Sequence, residues 1–79
     1  MEKVKAIFLM KGQVVKFSDM FGTHTMKINK VEYAPRKQMY ISGTILTTTN
    51  KEEKWKNYQV GNEGFFFARY KTKFQVKSL

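Results

Sequence analysis

Phe65, Phe67, Arg69, Lys71 and Lys73 stand at every second position of one run. Successive side chains of a strand point to opposite faces, so these five form a single row. The other row holds Phe66, Ala68, Tyr70, Thr72, Phe74 and Val76, which suits a core. A solvated face needs charge but does not need rings. Rings beside cations on a strand can hold single-stranded nucleic acid, with bases stacking on the rings and phosphates meeting the cations. Trp55, between Lys54 and Lys56, repeats the combination, either as a second stacking platform or as a core anchor whose neighbours snorkel. Tyr40, Tyr58 and Arg36 are weaker candidates for the same surface. Two other roles stay open for Phe65 and Phe67. Three consecutive phenylalanines also fit a strand buried on both faces, or anchors in a protein interface.

Catalysis has little to draw on. His24 is the lone histidine, and a lone histidine is more often a structural residue than a general base. The acids are Glu2, Asp19, Glu32, Glu52, Glu53 and Glu63, and only Glu52 and Glu53 are adjacent. Neighbours in sequence do not converge on a substrate as a two-carboxylate site does. No nucleophile elbow, phosphate loop or metal-ligand spacing occurs. The expectation is a non-catalytic protein with no cofactor and no metal.

The segment Glu63-Gly64-Phe65-Phe66-Phe67-Ala68-Arg69-Tyr70 resembles the RNA-binding octapeptide of RRM domains through Gly64, Phe65, Phe67, Ala68 and Tyr70. That resemblance implies base stacking by Phe65 and Phe67. It departs at Glu63, where the motif has a cation, and at Phe66, where it has a small residue. The fold of that family also needs a helix and a strand after the motif, and only the short segment from Lys71 to Leu79 follows. What carries over is the device, exposed rings beside cations on a strand, rather than the family.

Charge agrees with a binding role. Fifteen Lys and Arg against six Asp and Glu give a formal +9, and only Arg36 and Arg69 are arginines. Lysine is a hydrated point charge that attracts a polyanion better than it reads a base edge. The partners this suits are nucleic acid, single-stranded before duplex, or an acidic protein surface. A Lys-rich composition serving solubility is the plainer explanation of the same charge.

The elements that must position these groups read at period two. Seventy-nine residues without cysteine make one domain, residues 1–79, with no disulfide staple and no thiolate zinc site. A homodimer would add burial to so small a core. Ala6 to Met10 is too short an apolar run for a signal peptide or a membrane span, so a cytoplasmic protein off the membrane is expected. Val4, Ala6, Phe8 and Met10 predict a first strand closed by Lys11-Gly12, and Gln13 to Phe17 a second. Ser18 to Gly22 reads as one helical turn or a tight loop. Thr25–Tyr33 and Gln38–Thr48 form a hairpin joined by Ala34 to Lys37. Its first arm changes phase, which predicts a bulge near Asn29-Lys30, and Gly43 predicts a kink or close packing. Residues 50–59 read either as a turn and strand, the preferred reading, or as one short helix capped by Asn50 and Glu53. Gly61 to Gly64 is a hairpin loop, and Gly64 to Lys77 one last strand.

The fold expected is all-β: a small antiparallel barrel or rolled sheet of five or six strands, OB-like or SH3-like, with room for a short helix at 50–59. Closure would remove edges on which a β-rich chain aggregates. The function expected is sequence-tolerant nucleic-acid binding through a basic-aromatic β surface. The alternative is a small interaction module or inhibitor, of the kind a phage or mobile element encodes, docking on an acidic partner protein.

Overall fold

The computed structural model describes residues 2–20, 22–49 and 59–77. Trp55, Lys54, Lys56, Tyr58 and the choice between helix and strand at 50–59 lie outside the described residues, residue 59 apart. The fold is all-β: β1 (Glu2–Lys5), a 3₁₀ turn (Ala6–Phe8), β2 (Val14–Asp19), β3 (Gly22–Ala34), β4 (Gln38–Thr48), β5 (Glu63–Arg69) and β6 (Lys73–Lys77). All pairings are antiparallel, in the order β1-β6-β2-β3-β4-β5. The meander β2 to β5 is completed by β6, which returns to the far side of β2. The chain makes that passage through a turn whose Thr72 N–H donates to the Arg69 carbonyl at 3.1 Å. So short a connection between distant sheet positions requires the sheet to roll. The roll is not closed by strand pairing, and among the described residues the ladder ends at β1 and β5.

The inner face of the roll is the core. Val15, Phe17, Met26, Ile28, Met39, Ile41, Ile45, Ala68 and Val76 are buried together, with Phe66 and Phe74 packed against them. The roll depends on two register shifts between β3 and β4, one of them between Ile28 and Lys30, where the phase change placed a bulge. There Ile28 turns its backbone away from β4: its N–H donates to the Gln13 carbonyl and its carbonyl accepts from Gly12, both at 2.8 Å. The bulged Asn29 is held by its amide donating to Thr44 Oγ1 at 3.0 Å. Opposite lies Gly43, where an added Cβ would stand 1.9 Å from the Lys27 carbonyl oxygen. Glycine is required at that point by contact between backbones.

Two expected strands are corrected. The first ends at Lys5, and a 3₁₀ turn follows. Ala6 and Leu9 are buried there, three residues apart, while Phe8 is 63% exposed. The apolar run therefore follows a helical period over a few residues, too few for alternation to be told from it. The last strand is two strands. Gly64 to Lys77 breaks at Tyr70-Lys71-Thr72, and its halves join opposite ends of the sheet. The inward row survives the break at Phe66, Ala68, Phe74 and Val76, whereas Thr72 is exposed in the turn. Of the two readings of Ser18–Gly22 the tight loop holds and the helical turn does not, for β2 runs through Asp19, β3 begins at Gly22, and these two residues pair.

Candidate polyanion-binding surface

The outer face of β4 and β5 is a file of cross-strand pairs: Thr44 with Glu63, Ser42 with Phe65, Tyr40 with Phe67, and Gln38 with Arg69. Successive pairs on one face are about 6.7 Å apart along the strand. Phe65 and Phe67 are 42% and 55% exposed, so neither belongs to the core. Tyr40 joins them into a three-ring patch, 5.8 Å from Phe65 in a stacked arrangement and 5.2 Å from Phe67. Phe65 and Phe67 meet edge to face at 6.2 Å. The rings thus hold one another in place while keeping free faces, as a stacking platform requires.

Charge along this file runs in one direction. Glu63 stands at one end, and Arg69 at the other opens onto a cavity of about 720 Å³ lined also by Arg36, Lys37 and Lys71. Beside Tyr40, the β3 residue Glu32 is engaged by Lys30. The Lys30 ammonium is held above its ordinary range, first by its hydrogen bond to Glu32 and next by the charge of that carboxylate.

A second basic surface covers the other half of the roll. The pairs Lys5–Lys73, Lys3–Gln75–Lys16 and Lys77–Val14–Lys27 are three rows across β1, β6, β2 and β3. All six lysines are exposed, and no acidic residue occurs in these rows. Lys73, expected beside Phe67 and Arg69, belongs to this lysine face. The turn at Tyr70 to Thr72 carries it across, because alternation fixes which way a side chain points but not which strands are neighbours. Lys71 lies in that turn, on the rim of the arginine-lined cavity. Lys3, Lys5, Lys16 and Lys27 were not singled out from sequence. Each alternates with an apolar residue, the signal available, but only strand order brings them together. Of the weaker sequence candidates, Tyr40 contacts Phe65 and Phe67, and Arg36 lines the cavity with Arg69.

His24 takes a structural place. Its ring is fully buried, with Nε2 3.0 Å from Asp19 Oδ1 and Nδ1 2.7 Å from Thr48 Oγ1. Phe17 covers the ring with centroids 5.1 Å apart. Among the described residues no three His, Asp or Glu come together in a way that would hold a metal ion. No helix among them is long and apolar enough to cross a membrane. Compared with protein-family models, with curated proteins and with solved structures, the chain matches none of them.

Proposed function

We propose that this protein binds nucleic acid without strong sequence preference, single strands before duplex, and does no chemistry on it. The observation that carries the reading is the file of exposed Phe65 and Phe67, with half-buried Tyr40 against both rings, running into Arg69. Every base has a π-face, so a ring platform accepts any sequence, while lysines attract the backbone as point charges. Phe65, Phe67 and Tyr40 take the bases. Arg69 and Lys71 take phosphates at the end of that file, and Lys73 takes them on the lysine face. Trp55, Lys54 and Lys56 remain part of the proposal through their residue types.

Gel-shift and anisotropy titrations against mixed-sequence single strands test this. Binding should weaken steeply with salt, with a log–log slope of about −0.7 per phosphate neutralised. Absence of single-strand and duplex binding at about 50 mM salt overturns the reading. The exposed rings on β5, a strand at the end of the ladder, also favour a second reading, docking on an acidic partner protein through aromatic anchors steered by lysines. A pull-down from nuclease-treated lysate separates the two: a partner retained in stoichiometric amount favours docking, and loss of all co-purifying material favours nucleic acid.

A further inference from the structure

Both arginines of the chain meet in one place, although 32 residues of sequence lie between them. Arg36 and Lys37 come from the tip of the β3–β4 hairpin, Arg69 and Lys71 from the β5–β6 turn, and Gln38, Tyr70 and Thr72 complete the lining. The lining contains four cations and no carboxylate. Four like charges in a concavity repel one another, and field lines there are focused rather than dispersed. The lysine face shows that this chain can spread its charge along strands. Here it gathers charge instead.

The walls are fixed. The Tyr70 N–H donates to the Lys37 carbonyl at 3.3 Å, which ties one turn to the other. On the far side the Tyr70 and Thr72 carbonyls accept from Ile7 at 3.2 Å and Ala6 at 2.8 Å. Arg36 and Lys37 carry φ of 64° and 56°, the left-handed region where a hairpin turn ordinarily places Asn and Gly. Side chains with a Cβ are strained there, and such strain concentrates at binding sites.

We propose that this cavity is a binding site for a phosphate monoester dianion. A diester inside a strand carries one charge and must let the chain leave on two sides. A monoester presents up to two charges and three free oxygens, which suits a lining of four cations that includes the planar forks of two arginines. The dianion has two possible sources, the phosphorylated end of a nucleic-acid strand or a free small phosphate. The first source rests on the nucleic-acid reading above. It has a natural geometry, with the terminal phosphate in the cavity and the first bases on Phe67, Tyr40 and Phe65, leading toward Glu63.

The test compares one decathymidylate in 5′-phosphorylated, 3′-phosphorylated and unphosphorylated forms by anisotropy. Inorganic phosphate and ribose 5-phosphate are titrated separately while backbone amides are followed by NMR. One phosphorylated end should bind about tenfold tighter than the unphosphorylated strand. R36Q and R69Q should abolish that ratio, whereas K16Q on the lysine face should weaken all three strands and keep it. The small phosphates should move the amides of residues 36–38 and 69–72. Saturable shifts there without binding of any strand uphold the site, assign it to free phosphates, and sink the nucleic-acid reading. Strand binding indifferent to the terminal phosphate, with those amides silent to small phosphates, overturns the site and leaves the nucleic-acid reading standing.

Discussion

The outer faces of β4–β5 and of β1–β6–β2–β3 are built from the same alternation yet present different chemistry. The first is aromatic, graded from Glu63 to a cavity holding both arginines. The second carries six lysines around Gln75, with no ring in its rows. The difference teaches how a small sheet divides labour. Rings and arginines demand defined geometry, because stacking and bidentate contacts fail when misplaced. Lysines spread along strands demand only proximity to a polyanion, and their attraction reaches about one Debye length. One surface sets how the ligand sits, and the other how readily it arrives.

What holds the two surfaces apart is the bend at the bulge, and breaking it should give the largest effect. Gly43→Ala places a Cβ against the backbone carbonyl of Lys27, an atom that cannot swing aside. The expected loss is about 3 kcal/mol of unfolding free energy, read from a chemical denaturation midpoint. For so small a domain that is a large share of the total stability. Both surfaces should fail together, and a Gly43→Ala variant of unchanged midpoint would show that the bend is not held there.

That bend was legible in the sequence, and the split it produces was not. The phase change between Ile28 and Val31 could only be reconciled by an extra residue, and Gly43 marked where backbones approach. The exposure of Arg69, Lys71, Lys73 and Lys77 and the inward row Phe66, Ala68, Phe74 and Val76 followed from period two alone. The turn at Tyr70 to Thr72 left no mark, because it contains no glycine or proline and preserves the alternation on either side. The run of aromatics and cations therefore read as one continuous site. Arg36 was undervalued for a related reason: its partner Arg69 is brought to it by the pairing of β4 with β5, a relation no local pattern records.

The comparison predicts that ring removal and charge removal leave different signatures. Phe67→Ala should cost about 1–3 kcal/mol of single-strand binding, roughly five- to 150-fold, with the salt slope unchanged. Because the ring is more than half exposed, stability should move much less than in a core truncation. Equal losses of affinity from Phe67→Ala and from Lys16→Gln, with equal changes of salt slope, would erase the distinction between the faces.

A smaller effect tests whether Lys37 gives up stability to place its charge at the arginine cavity. Lys37 has φ 56°, which glycine adopts without a Cβ clash. Lys37→Gly should raise unfolding free energy by about 1 kcal/mol while weakening phosphate binding in the cavity. A thermal melt paired with a phosphate titration checks both signs. Stabilisation without loss of phosphate affinity would remove Lys37 from the site.

The smallest effect concerns the lysine face. Lys5 and Lys73 stand directly opposite each other across β1 and β6, a like-charge pair that should destabilise the ladder. Lys73→Gln removes the repulsion and should stabilise the fold by about 0.3 kcal/mol at low ionic strength. The gain should fade toward 1 M salt, where the Debye length is about 3 Å. Polyanion affinity should fall at the same time, with the log–log slope shallower by about 0.7 for single strands. Opposite signs for folding and binding are what a charge placed for a partner produces, since its benefit appears only in the complex. A lysine placed for solubility alone would show the gain in stability and leave the binding slope where it was.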